Sequence, residues 1–265
     1  MVTTPKPKSE RPMPRILRVS RTCRITPHMI RVTFAGPALR GFPAGREGGN
    51  CKLLVPEPDQ TLGSFQAQLA AGEKMTTRTY TVRAFREAAL ELDIDFVSHA
   101  DQGPASIWAE RAKEGSFCGF RGPSLPKVTE FYADWYLLAA DMSALPVAAA
   151  TLEAMPRDAQ GVAVFEVLSE ADKQDLNTPK GFIVHWLIQP DARRVSMQQV
   201  QFIKAMPWPS GRVQTCIAGE SSTIRALRDF VFNEKRLLKE DVYISGYWKL
   251  GLVEDEHQKM KRAAA

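Results

Sequence analysis

Residues 135–146 read Trp135-Tyr136-Leu137-Leu138-Ala139-Ala140-Asp141-Met142-Ser143-Ala144-Leu145-Pro146. The apolar run at 135–139 has strand length. A short polar turn follows, and 143–155 then has helical character. Ser143 stands where an N-cap belongs, and Pro146 is tolerated near a first helical turn. A strand that turns directly into a helix opens a β-α-β unit, and the same grammar repeats to the end of the chain. Strands are predicted at 162–168, 181–187, 213–218 and 241–245. Helices are predicted at 196–205, at 222–235 with Ile224, Leu227 and Val231 on one face, and at 253–262. This alternation implies a parallel sheet with helices on both faces.

The residues before this stretch follow another pattern. Runs at 15–24, 29–35, 50–56, 78–85 and 90–97 are short, rich in Val, Ile, Leu, Phe and Thr, and bounded by Gly and Pro. A helix at 104–112 and a strand at 116–121 complete the half. Such spacing predicts an antiparallel, six-stranded β-barrel. The segments between the third and fourth runs read as loops, with at most one helical turn. Residues 122–134, a proline-containing connection, divide the halves. The expected units are a flexible lead-in at 1–14, a barrel at 15–128 and an α/β domain at 129–265.

Composition narrows the function classes. The chain has 265 residues, 44% hydrophobic and 25% charged, with a net charge of +5. That balance is globular. No apolar run approaches the length that crosses a bilayer, and the polar, proline-rich start lacks the apolar core of a secretory signal. A cytoplasmic location follows, without membrane attachment. The mild basic excess is not clustered as a nucleic-acid face requires, and it suits a small anionic ligand equally well. Cys23, Cys51, Cys118 and Cys216 form no CxxC pair, and the four histidines have no metal-ligand spacing. A built-in metal site is not expected.

Three groups of residues carry chemistry. The first is Arg78-Thr79-Tyr80-Thr81, which fits the R-x-Y-[ST] pattern of ferredoxin reductase-like flavoproteins. On a strand, Arg78 and Tyr80 share one face and the two threonines the other. Arginine matches phosphate oxygens, tyrosine offers a flat ring, and a threonine hydroxyl can bond the reactive edge of a flavin. The second runs from Asp95 through Val97 to His99, then Gly103-Pro104-Ala105-Ser106. Here a helix N-terminus with small residues lets backbone N–H groups approach a diphosphate. The third comprises Asp141-Met142-Ser143-Ala144, Ala218-Gly219-Glu220 and Ser245-Gly246-Tyr247-Trp248-Lys249. Each follows a predicted strand, so all belong to the carboxyl edge of the sheet, where α/β domains bind ligands. A GxGxxG fingerprint is absent.

Taken in order and spacing, RTYT, DFVSHADQGPASIWA, the GPS turn at Gly122, DMSALP, AGESSTIRALRDF and VYISGYWKLG resemble the siderophore-interacting proteins. These are a branch of the ferredoxin reductase-like flavoproteins, and the resemblance spans about residues 15–262. It implies a barrel that binds FAD non-covalently and an α/β domain for NADH or NADPH. It also implies reduction of Fe(III) to Fe(II) in a siderophore, so that iron is released. The implied flavin residues are Arg78, Thr79, Tyr80, Thr81, Asp95, Val97, His99, Ala105, Ser106 and Trp248. The implied nicotinamide residues are Asp141, Ser143, Ala144 and Glu220. A basic site for an anionic, catecholate-type siderophore is implied at Lys52 and Lys249, with Arg121 or Lys127 as the third cation. A monomer is expected. Ala140–Ser143 stands where the family writes a Gly-Asp-Glu-Thr-like stretch, and Lys249 replaces its usual arginine. Ferredoxin as the electron partner, another flavin reaction and non-catalytic siderophore binding remain alternatives.

Overall fold

A computed structural model of the chain describes residues 13–98, 103–252 and Glu256. Most of the lead-in predicted at 1–14, His99, and all but Glu256 of the helix predicted at 253–262 lie outside the described residues.

The N-terminal half contains β1 (Arg15–Thr26), β2 (Met29–Ala35), β3 (Asn50–Leu54), α1 (Leu62–Ala70), β4 (Thr77–Thr81), β5 (Ala84–Arg86), β6 (Glu91–Val97), α2 (Pro104–Arg111) and β7 (Phe117–Arg121). The strands form one antiparallel sheet in the order β4-β3-β7-β1-β2-β6-β5. Its two edge strands, β4 and β5, are consecutive in the chain, with only Val82 and Arg83 between them. The sheet must therefore curl until its edges meet. The junction is visible in the ladder: Val82 N–H donates to Gly49 beside β3, and Arg83 N–H donates to Asp93 on β6, each at 2.9 Å.

This corrects the expected count of six strands to seven. The run at 78–85 reads as one strand because its composition is uniform, but it changes ladder partner at Val82-Arg83. Leu17, Val19, Val32, Phe34, Leu53, Ile94, Phe96 and Phe120 fill the interior. Helix α1 corrects a predicted loop. Thr61 caps it by accepting the Ser64 N–H, and Phe65 and Leu69 bury one turn apart against Leu54.

The C-terminal half contains β8 (Trp135–Asp141), α3 (Leu145–Ala154), β9 (Gln160–Val167), β10 (Gly181–Ile188), α4 (Gln198–Ala205), β11 (Val213–Glu220), α5 (Ser221–Asp229) and β12 (Val242–Trp248). All strand pairs are parallel, in the order β10-β9-β8-β11-β12. Alternation along β8 sends Tyr136, Leu138 and Ala140 toward α3, and Leu137 and Ala139 toward α4 and α5. The predicted helix over 222–235 changes to a π-helical turn at Phe230–Glu234. Strand order reverses between β8 and β11, since β9 and β10 are added on one side of β8 and β11 and β12 on the other, and this is the switch point at which such sheets hold ligands.

The two lobes pack through Met29, Met142 and Val167, all buried, with Ile25 and Val97 against them. Arg83 of the barrel forks onto Glu153 of α3 at 2.6 and 2.7 Å. On the other side, the fully buried Asp172 accepts the His28 backbone N–H at 2.9 Å and lies 2.8 Å from its Nδ1. Burial works against the charged carboxylate, but hydrogen bonds from Ser169 and His28 prevail and hold Asp172 below its ordinary value of 3.8. A depressed carboxyl contributes stability above its unfolded pKa and loses it as pH falls through the folded value. Asp172→Asn is expected to cost about 1–2 kcal/mol at neutral pH. Urea unfolding from pH 7 downward should show the gap to wild type narrowing only below about pH 3.8.

Candidate functional site

Between the lobes lies a cavity of about 650 Å³, a size usual for a small-molecule site. One wall is the barrel strand β4 with the end of β6 and the start of α2. The other is the carboxyl edge of the parallel sheet, closed by β12 and the residues after it. Sequence order put these segments far apart; the barrel closure and the switch point bring them together.

Arg78, Thr79, Tyr80, Thr81, Asp95, Val97, Ala105, Ser106 and Trp248 all line the cavity. Tyr80 packs on Phe96 with ring centroids 4.4 Å apart, which fixes its plane against the barrel core. Asp95 has a prior engagement. Arg31 clasps it with two N–H bonds of 2.7 and 2.8 Å, so this carboxylate is first a strut between β2 and β6.

Three helices begin at this site, and their N-termini differ. At α3, Asp141 Oδ1 accepts the Ser143 N–H and hydroxyl at 2.9 and 2.6 Å, and the Ala144 N–H at 3.2 Å. Asp141 thus braces the turn that leads into α3, whose N-cap Ala144 has no side-chain cap, and Ser143, expected as the cap, is a donor to Asp141 instead. At α5, the Glu220 carboxylate accepts from Ser222 and Thr223 N–H groups. At α2, Gly103 supplies no side-chain cap, and a Cβ placed there would meet nothing within 4 Å. Among the described residues no side chain caps the first turn of α2, which borders the cleft, and a helix start of this kind suits a diphosphate. This open helix start, with Arg78 and the Tyr80 ring beside it, fits FAD.

Asp141 and Ser143 line the cavity, but Ala144 and Glu220 do not. Ala144 is fully buried in the α/β core. Glu220 faces a small adjoining cavity of about 20 Å³, where its Oε1 also accepts the Leu250 N–H at 3.3 Å. Asp141 Oδ2 accepts the Trp248 indole N–H at 2.7 Å, which ties the aromatic wall of β12 to β8. Burial raises the Asp141 carboxyl above its ordinary value. The carboxylate lies where a Cβ on Gly219 would approach Oδ2 to 2.7 Å, and φ there is +152°. Only glycine fits that position of the Ala218-Gly219-Glu220 turn.

Of the four basic candidates, Lys249 lines the cavity. Lys52 lies one strand away, opposite both Thr79 and Arg121 in the ladder, and its ammonium donates to the Thr79 hydroxyl. Lys52 and Arg121 therefore share a face of the barrel beside the cleft, off its wall. Lys127 sits in the connection between lobes, half-buried, and burial lowers its pKa.

The sequence reading missed several lining residues. Tyr247 stands inside the Ser245–Lys249 motif but was given no role there, and it lines the cavity. Glu166 and the loop residues Gln189, Asp191 and Arg194 also line the cavity. Glu166 lies near the end of β9 and the others follow β10, all at the carboxyl edge, so topology was the available signal. Burial, then the nearby Asp141 charge, raises the Glu166 carboxyl.

The fold agrees with what known proteins show. Residues 18–127 match a model described as the siderophore-interacting FAD-binding domain, and residues 133–251 match one described as siderophore-interacting protein. The ferric vibriobactin reductase of Vibrio cholerae serotype O1 is 34% identical over 259 residues, covering 94% of each chain. The siderophore-interacting protein SipS from Aeromonas hydrophila superposes with a TM-score of 0.82 at 30% identity, covering 95% of this chain and 98% of that one. A siderophore utilization protein from T. fusca gives 0.79 at 32% identity, covering 91% and 94%. With both domain models matched in order around one flavin-sized cleft, the chain belongs to the siderophore-interacting protein family.

Proposed function

We propose that this chain is an FAD-dependent ferric-siderophore reductase that takes electrons from NADH or NADPH and reduces chelated Fe(III) to Fe(II). The observation that supports it best is the two-walled cleft, with Arg78–Thr81 on one side and Trp248–Lys249 on the other. Bound FAD supplies the step between a two-electron donor and a one-electron acceptor. The residues do the rest. Arg78 and the α2 amides hold phosphate, Tyr80 and Trp248 bound the ring space, and Thr81 offers a hydroxyl to its edge. Asp141 holds Trp248 in place on the donor side.

The substrate is an anionic ferric chelate of catecholate type, drawn by Lys249 at the cavity wall and by Lys52 and Arg121 beside it. Lys127 is the alternative third cation. Ferrous iron is larger and less charged than ferric iron, so hard oxygen ligands release it. The chain need not ligate the metal, and among the described residues no cluster of metal-ligating side chains occurs. No described helix is long and apolar enough to cross a membrane. One chain builds the whole cleft, so a monomer suffices, and a cytoplasmic setting supplies the donor.

Electron flow tests this function. FAD-loaded protein, kept anaerobic with NADH or NADPH and a ferric tris-catecholate, is expected to yield ferrous iron trapped by a ferrous chelator. The rate should exceed that of the donor with free FAD. Equality with the free-FAD rate would overturn the assignment. Turnover with reduced ferredoxin but neither nucleotide would move the donor to a protein.

A further inference from the structure

A nicotinamide dinucleotide joins its two halves through an anionic diphosphate. In a lobe of this kind that group ordinarily rests on a helix start with vacant first-turn amides. Two helices of the α/β lobe start directly beyond central strands of the sheet, α3 after β8 and α5 after β11. At α3 the donors are occupied. Asp141 Oδ1 holds the Ser143 and Ala144 N–H groups at 2.9 and 3.2 Å. Pro146, which lines the cleft, has no N–H to give, and the Val147 N–H returns to the Ala144 carbonyl at 3.1 Å. At α5 the Glu220 carboxylate accepts the Ser222 and Thr223 N–H groups. Helix α4 starts off the main cavity, and the Ser196 hydroxyl accepts its Gln198 N–H at 3.2 Å.

Charge points the same way. Asp141 and Glu166 stand opposite each other in the β8–β9 ladder, and both line the cleft. Glu220 faces the small cavity that both also border. Asp191 lines the cleft too, 3.6 Å from Arg193. A diphosphate arriving at these helix starts meets carboxylates where it needs donors. Among the described residues, the cations on this wall are Lys249, after β12, and Arg194, exposed in the loop after β10. Neither belongs to a helix start. The dihydronicotinamide ring itself is uncharged and becomes a cation on giving up hydride, so an acidic wall accepts it while disfavouring phosphate.

We propose that the donor side of the cleft reads only the dihydronicotinamide head of its substrate, because Asp141 and Glu220 occupy the helix starts and deny the α/β lobe a diphosphate site. This rests on the nicotinamide-donor reading above. The adenosine half and its 2′-phosphate then add little, and NADH, NADPH and reduced nicotinamide mononucleotide are equivalent hydride donors. Asp141 and Glu220 are the residues that set this breadth.

Two measurements on FAD-loaded, full-length protein test it. Anaerobic stopped-flow compares the second-order rate constants with which NADH, NADPH and reduced nicotinamide mononucleotide bleach the bound flavin. The three are expected to agree within about threefold, whereas each charged hydrogen bond to the diphosphate would favour the dinucleotides by about tenfold or more. Calorimetry uses ADP-ribose, which carries the diphosphate but no nicotinamide, and should detect no binding to wild type. D141A and E220A vacate the α3 and α5 amides. At least one of them should bind ADP-ribose and come to favour NADH over the mononucleotide by about tenfold. Retained FAD shows that a variant is folded; where one loses it, the other variant and the wild-type comparison decide. A tenfold dinucleotide advantage in wild type would overturn the proposal, as would ADP-ribose binding to wild type. Folded variants that gain neither property would also overturn it, since the carboxylates would not be what excludes the diphosphate. Bleaching by the dinucleotides alone defeats this proposal and leaves the donor reading standing. Bleaching by none of the three overturns the donor reading and this inference with it.

Discussion

Arg78→Ala is expected to purify almost colourless, with FAD affinity reduced about 100-fold. Arg78 lines the cleft beside Thr79, Tyr80 and Thr81 and at the wall shared with the α2 start. A guanidinium gives phosphate two parallel charge-assisted hydrogen bonds, each roughly twice the strength of a neutral one. A charged hydrogen bond is worth about 1.5–3 kcal/mol net, and 1.4 kcal/mol is a factor of ten. Losing such a contact therefore reaches about two decades. The Arg78 Nη1 also donates to the Thr77 carbonyl at 3.0 Å, a local bond whose loss leaves the strand ladder intact. Arg78→Lys keeps the charge but not the fork, so it should fall between wild type and alanine. Equilibrium dialysis against FAD gives the order. Equal affinity in all three would remove Arg78 from the phosphate site.

Lys249→Ala is expected to raise KM for an anionic ferric chelate about tenfold at low ionic strength, with kcat for a neutral artificial acceptor unchanged. Lys249 follows Trp248 at the end of β12 and lines the cleft. Two unit charges about 4 Å apart near a protein surface interact by about 4 kcal/mol before desolvation and mobility reduce it. A net effect of about 1.4 kcal/mol gives the tenfold change. Screening supplies the control. The Debye length falls from about 10 Å at 0.1 M salt to about 3 Å at 1 M, so the difference between variant and wild type should shrink with salt. A loss that is equal for charged and neutral acceptors would mean that the substitution damages the flavin side instead. Lys52 and Arg121 face each other across β3 and β7. Their substitutions should show the same salt signature with a smaller amplitude, since neither is on the cavity wall.

Much of this site could be read before any coordinates. The Arg78–Thr81 strand and the Gly103–Ser106 helix start, both singled out in the sequence, line the cleft. Repeated strand-to-helix turns put Asp141 and Trp248 at one sheet edge. What escaped depended on contacts between distant segments. Nothing local in residues 78–85 shows that the ladder changes partner at Val82-Arg83, because both halves have the same β-forming composition. Helix α1 contains Gly63 and a polar Gln-rich face, so its only strong signal is that Phe65 and Leu69 find Leu54. Ser143 has the right type for a cap, yet its N–H and hydroxyl are drawn to Asp141, two residues earlier, and the helix starts one residue later at Ala144. Glu220 caps α5 although glutamate is outside the usual N-cap set.

Equilibrium titration of FAD-free protein with FAD, followed by flavin fluorescence and by the absorbance of the bound fraction, settles whether the interlobe cleft is a flavin site. One equivalent per chain should bind in wild type, while Arg78→Ala remains unsaturated at the same concentrations. A wild-type protein that refuses FAD, or one that binds it just as tightly after Arg78 is removed, would contradict the assignment.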